Sequence, residues 1–192
     1  MSVEPNYRSL HIADNPQLYT PARSNNFEFI VTGIDSLLKP GAQEDTAQET
    51  DYIKNGQEVI RVSVASETVP HFSLEKIEVK RGNNTVKFAG TPTFDDQTLV
   101  LNDYMGARTK DVIMAWQALA YDVNTEKVSR ATKYKKDCML VEYSPDYEEI
   151  LRTWTLKGCW VSAVSEDAFD NDNPDKRRIT ATVVYDSYRL GE

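Results

Sequence analysis

The side chains able to carry chemistry are few and far apart. His11 and His71 are the two histidines of the 192 residues. A Ser-His-Asp nucleophile needs one of them held in a pocket by a supporting carboxylate. His11, however, lies in a proline-punctuated polar stretch, and His71 follows Pro70 at the start of a strand pattern. Cys138 and Cys159 are too few for a disulfide framework and have no metal-ligand spacing. They are expected to be reduced and half-buried, as small apolar side chains. The glycines never form a G-x-G-x-x-G or Walker phosphate cradle. Asp170-Asn171-Asp172-Asn173 opens like a calcium loop, but Pro174 and Asp175 stand where the next ligand and the turn glycine belong. Asp146, Glu148 and Glu149 follow Ser144-Pro145 in an exposed turn, where carboxylates are expected to behave ordinarily. Trp116, Trp154 and Trp160 have the chemistry of a sugar platform, yet their helix and strand patterns predict core packing. Nothing here makes a catalytic constellation, so the expectation is no enzyme, no metal and no cofactor.

Charge narrows the classes further. Lys plus Arg number 22 against 30 Asp plus Glu, a formal net charge of −8. Such a surface does not grip nucleic acid through its bulk, because that affinity comes from cations set against phosphates. It leaves room for nucleic acid that slides past. A hydrophobic share of 40% and a charged share of 27% are ordinary for a globular chain. The length predicts one domain, large enough for a core without staples. The opening Met1-Ser-Val-Glu-Pro-Asn-Tyr7 has no basic segment leading into an apolar run, so the expectation is a soluble protein made in a cytoplasm, without a signal peptide and away from membranes.

The elements that must position these residues read mainly as short strands. Residues 1–25, with Pro5, Pro16 and Pro21, read as an extended arm, and 26–192 as a single β domain. Phe27, Phe29 and Val31 alternate and end at Gly33. A polar connection over 36–56 follows, with Glu44, Asp45, Glu49 and Asp51 and no base between Gln43 and Tyr52. Connections of that length are usually disordered or functional. Ile60, Val62 and Val64 read as one face of a strand. Val69-Pro70 interrupts, and a hairpin from His71 to Phe88 turns at Gly82-Asn83-Asn84-Thr85. On its first strand Lys76, Glu78 and Lys80 make a wet face, and Ile77 and Val79 are assigned to the core. Between Gly106 and Tyr121 the period becomes helical, with Val112, Ile113, Trp116, Leu119 and Ala120 on one stripe. Strands resume at Cys138–Tyr143, Leu151–Leu156 and Ile179–Tyr185. The expected fold is mainly β: two packed antiparallel sheets, a sandwich or partly open barrel, with one flanking helix.

Several short motifs follow one another along the chain: Val69-Pro70, Ile77-Glu78-Val79, Phe88-Ala89-Gly90, Thr93-Phe94-Asp95-Asp96-Gln97-Thr98 and Trp116-Gln117. Ala131 to Lys136, Leu156-Lys157-Gly158-Cys159-Trp160 and Val184-Tyr185-Asp186 continue the series. In this order they resemble the tail tube proteins of contractile-tailed (myovirus-type) bacteriophages, a superfamily shared with type VI secretion tubes, and Phe27 and Phe29 fit that family's first strand. The resemblance implies a ring-forming fold: hexameric rings stacked into a hollow tube inside a contractile sheath, delivering phage DNA to the host. It implies contacts with further copies of the chain, with sheath outside, and with baseplate, tape measure and terminator proteins, and a place in the virion tail. DNA would pass through the lumen without specific binding. The candidate interface or lumen residues are Glu44, Asp45, Glu49, Asp51, Lys76, Glu78 and Lys80. Phe27, Phe29, Ile77, Val79, Trp116, Trp154 and Trp160 are the candidate core. A tube of a type VI or other contractile injection machine is the alternative within this fold. A monomeric carbohydrate-binding sandwich is the alternative outside it.

Overall fold

The computed structural model describes residues 21–42, 47–169, 172 and 174–191. Most of the expected arm, Glu44 and Asp45, and most of the calcium-like run lie outside the described residues.

In chain order the elements begin with β1 (Phe27–Val31), β2 (Ser36–Leu38), β3 (Tyr52–Lys54), α1 (Gly56–Ser63) and β4 (Val64–Glu67). A long hairpin follows, β5 (Phe72–Arg81) and β6 (Asn84–Phe94), then β7 (Gln97–Asn102) and α2 (Thr109–Ala118). Two short strands, β8 (Tyr121–Asp122) and β9 (Lys127–Val128), and the one-turn α3 (Ala131–Tyr134) lead into β10 (Lys136–Tyr143). The chain closes with β11 (Ile150–Glu166), β12 (Arg178–Val184) and β13 (Ser187–Gly191).

The main sheet is antiparallel, in the order β1-β10-β11-β12-β7-β4, with β13 also on β11. Its organising element is β11, which runs on through Lys157-Gly158 rather than ending at Leu156. The first part of β11 pairs with β10 and β13, and the part after Gly158 pairs with β12. Gly158 sits at φ +71°, a left-handed conformation costly to any residue with a Cβ. A Cβ there would also fall 2.8 Å from Asp186 Cγ. Asp186 is held in that place: Lys135 Nζ donates to its carboxylate at 2.7 and 2.6 Å, and its own N–H donates to Lys157 O at 2.9 Å. Motif pieces far apart in sequence thus meet at one bend.

Alternation dictates the core. Phe29 and Val31 of β1, Leu99 and Leu101 of β7, Leu156 of β11, and Ile179, Ala181 and Val183 of β12 are all buried. Trp116, Val112 and Ile113 close the core from α2, and Trp154 joins it from β11. Phe27 is half-buried against it.

The expected pattern needs correction at three points. The stretch read as a strand through Ile60 and Val62 is α1, so among the described residues two helices of more than one turn flank the sheets instead of one. Gly56, Ile60 and Ser63 are buried at helical spacing, while Val62 is exposed. The 36–56 connection contains the β2–β3 hairpin, in register from Ser36↔Lys54 to Leu38↔Tyr52. Within it Glu49 pairs with Lys54 at 2.8 Å, and Asp51 accepts the Gln48 N–H at 2.9 Å. Trp160 is half-buried and meets Tyr134 edge-on at 5.9 Å.

Truncating the buried indole of Trp116 leaves a cavity that neighbouring strands cannot fill. Trp116→Ala is expected to cost about 3–5 kcal/mol in chemical unfolding. An unchanged midpoint would contradict the placement of α2.

Candidate contact surfaces

The β5–β6 hairpin is a two-stranded ribbon exposed along nearly its whole length. Directly paired residues share a face, so the register Ile77↔Phe88 and Val79↔Val86 makes one face apolar. These side chains are 52%, 55%, 46% and 40% exposed, respectively. Ile77 and Val79 therefore lie outside the chain's own core, contrary to the expectation. The opposite face carries Lys76, Glu78 and Lys80, with Lys87 paired to Glu78. The wet-face residues do share a face, and Lys76 pairs with Glu78 of its own strand at 2.9 Å. With three lysines to one glutamate, that face is basic.

Between Leu74↔Pro92 and Lys76↔Ala89 the register shifts, β6 carrying one residue more than β5. Glycine is required at this bulge, because a Cβ on Gly90 would lie 2.7 Å from Glu75 O. The polarity of the ribbon changes sides here. On the root side, Phe72 and Phe94 occupy the face that becomes charged further out. They pack with Tyr185 and Tyr188 at centroid distances of 5.8 to 6.3 Å. The Tyr185 hydroxyl donates to His71 O at 3.1 Å, fastening the ribbon to the body. Burial first, then neighbouring Tyr188, pushes the Tyr185 phenol up to about 12.

The second surface is a groove of about 710 Å³ between β1 and β4, the two ends of the sheet order. Phe29, Leu140, Val64 and Trp154 line it with apolar surface. At its rim Arg61 is paired with Glu28, and Arg152 with Glu142 at 3.3 Å. Glu67 also lines the groove, with both carboxylate oxygens sequestered from water and without a hydrogen-bond partner. Burial, and then Cys159 nearby, raises its pKa well above the ordinary carboxylate range. Sequence reasoning missed Glu67, because nothing in Val64-Ala65-Ser66-Glu67 separates it from a surface glutamate.

The remaining described candidates lie apart from these two surfaces. Cys138 and Cys159 are fully buried rather than half-buried, and burial followed by hydrogen bonding to Cys159 raises the Cys138 thiol. His71 Nε2 lies 3.2 Å from Asp95 Oδ2 in the open. Asp146 departs from ordinary behaviour: hydrogen bonds from the Ser144 hydroxyl and then the Glu148 N–H lower its pKa. Among the described residues no group of three or more ligating side chains could hold a metal, and no helix is long and apolar enough to cross a membrane.

No protein-family model matches the chain. Over 106 residues it is 27% identical to the tail tube protein gp19 of Enterobacteria phage T4, which is 55% of this chain and 65% of that protein. The match thus spans just under two thirds of the relative's length. In a cryo-EM structure of the PVC extracellular contractile injection system, a chain of the sheath/tube terminator shares the architecture. Its TM-score is 0.62 at 17% identity, covering 90% of this chain and 97% of that one. A chain of the PVC sheath–tube complex gives a TM-score of 0.61 at 17% identity, with 99% of each covered. The chain shares the fold of these two chains. The resemblance carried by the sequence motifs therefore stands, as does the mainly β, two-layered fold it implied. The named relative is a structural tube protein.

Two titrations follow from this geometry. Tyr185 is neutral in the fold up to about 12, whereas an unfolded tyrosine ionises near about 10. Its contribution is therefore complete below the lower value and declines as pH rises through the higher one. Tyr185→Phe is expected to flatten the fall in melting temperature across that alkaline window. Glu67 retains a proton in the fold that the unfolded chain releases near about 4.3, so its contribution declines as pH rises through its raised value. At pH 7 Glu67→Gln is expected to raise the melting temperature of the isolated chain, by about 2–4 °C per kcal/mol recovered. A lowered melting temperature would mean that the carboxylate already has a partner.

Proposed function

We propose that this chain is a major tail tube subunit of a contractile-tailed phage. Copies of it form hexameric rings, and the rings stack into a hollow conduit for DNA inside the sheath. The observation that carries this reading is the similarity to a phage tail tube protein in a chain whose fold recurs in contractile injection systems. The physics of the surface supports it. A ribbon with one uncovered apolar face is a liability on a solitary protein and an asset in an assembly. Contacts between unlike patches of identical chains close into rings or propagate into filaments, and a tube uses both outcomes.

The role is structural and involves no catalysis. The partners follow from the place in the tail: sheath outside, with baseplate, tape measure and terminator proteins at the ends or within. The subunit is made in the host cytoplasm and resides in the virion tail. A formal charge of −8 keeps its bulk surface from holding DNA. Because the ribbon's polar face is basic, any acid lining the conduit has to come from other elements. A second reading, the tube of an extracellular injection machine, is favoured by the likeness to the two PVC structures.

Negative-stain microscopy of the purified full chain at high concentration, alone and with baseplate nuclei, tests the proposal. Six-fold rings and tubes are expected. A protein that remains monomeric under both conditions and fails to join tails in infected cells would overturn it. Incorporation into phage tails, against incorporation only into injection particles, separates the two readings.

A further inference from the structure

We propose that Cys138 and Cys159 are a dithiol that a small hydroperoxide converts to a disulfide within one chain, with Glu67 taking up the proton of the attacking thiol. The site lies in the core, behind the groove, and its chemistry stands apart from tube formation.

The fold brings the two thiols together at the corner of β11. Cys138 is on β10 and Cys159 on β11, neighbouring strands of the main sheet. Regular antiparallel pairing would leave them as diagonal neighbours. Between Lys136↔Cys159 and Cys138↔Leu156, however, Asp137 alone stands against both Lys157 and Gly158, and the strand bends. Both cysteines are fully buried in one core cluster, and their thiols share a hydrogen bond. Thiols donate and accept weakly, so that contact adds little to the packing. It does place two sulfurs one bond short of a disulfide.

β4 adds an acid to the pair. Both oxygens of Glu67 are shut off from water without a hydrogen-bond partner. Cys159 is near enough to raise the Glu67 pKa, and Glu67 in turn raises that of Cys138. Charged side chains on the adjoining elements are engaged with one another: Glu28 with Arg61, Glu142 with Arg152, and Asp137 with Lys157. Glu67 is therefore the acid–base group left to serve the thiols. A buried polar group without a partner is unusual enough in a native fold to call for a role, redox chemistry among them. Glu67 also lines the groove, and so links it to the buried sulfurs. A peroxide little larger than water suits that approach.

In the first step Cys159 gives its proton to the Glu67 carboxylate, and the thiolate attacks one peroxide oxygen. The O–O bond breaks, Cys159 becomes a sulfenic acid, and the departing oxygen leaves as water with the proton from Glu67. The Cys138 sulfur then attacks the sulfenic sulfur, and the hydroxyl leaves as water with the Cys138 proton. Two thiols lose two electrons and two protons, and one hydrogen peroxide becomes two waters. The product staples β10 to β11 beside Gly158.

The test treats the full, unsubstituted chain with hydrogen peroxide at mildly alkaline pH. Remaining thiols are then alkylated in denaturant and the digest is read by mass spectrometry. The expected product is a peptide of Cys138 joined to Cys159, reversed by reductant, in a chain that melts about 5–10 °C higher. Two alkylated cysteines, a sulfinic or sulfonic acid at either position, or a disulfide between chains would overturn the pair. An oxidised chain that melts no higher than the reduced one would overturn the staple. None of these outcomes touches ring or tube formation.

Glu67→Gln reads the proton step separately. It is expected to slow formation of the linked peptide roughly tenfold or more, and to remove the rise in rate as pH passes through the Glu67 titration. A rate and pH profile matching the parent would overturn the role of Glu67. A merely structural glutamate would move the melting temperature and leave that profile unchanged.

Discussion

Both layers of this protein depend on one continuous strand being able to serve them. β11 belongs to the sheet half that ends at β1 and to the half that ends at β4, and it bends between the two at Gly158. The bend needs a residue without a Cβ, and it needs Asp186 beside it. Lys135 restrains that carboxylate, and the Asp186 amide is tied back to Lys157. With that corner fixed, the two free edges come to flank one groove, and β13 follows β12 to bring Tyr188 under the root of the ribbon. The contact surfaces are thus set by a corner that touches neither of them.

The two surfaces have opposite deficits. The ribbon has too much exposed apolar area and a surplus of positive charge. The groove has open backbone and a carboxylate without a partner. Either alone would be a modest cost to a folded chain. Both lie on one molecule, joined by the strands of a single sheet. The buried Glu67 also carries a cost: a carboxyl group taken out of water without a hydrogen-bond partner forfeits its hydration and holds its proton instead.

Much of this was legible in the residues. Alternation at Phe27, Phe29 and Val31, and again at Ile179, Ala181 and Val183, marked strands that the fold contains, and the helical stripe through Val112, Ile113 and Trp116 marked α2. Lys76, Glu78 and Lys80 share one face of the ribbon, as the alternation implies. Ile77 and Val79 were misassigned for a physical reason: alternation reports that a face is apolar, not whose core it enters. β-Branched valines made α1 resemble a strand, because Val62 and Val64 share a two-residue period with Ile60 while burial follows Gly56, Ile60 and Ser63. The run of β11 past Lys157-Gly158 was hidden because a glycine after a lysine reads as a stop. Glu67 left no local signal, since its burial arises from pairing with β7, far along the chain.

The bulge at Gly90 separates two properties of the ribbon that would otherwise change together. Which side chains share a face is written in the order of residues along β5, where the apolar positions pass from Phe72 and Leu74 to Ile77 and Val79. Where that face is aimed is set by the extra residue in β6, because a bulge bends and twists its strand. Removing one residue there would preserve the pairing of Ile77 with Phe88 while straightening the ribbon. Sequence drift in the stripe therefore alters how apolar the ribbon's face is, and length changes at the bulge alter the angle at which it leaves the body. Such a chain can redirect its ribbon without changing the residues that the ribbon displays.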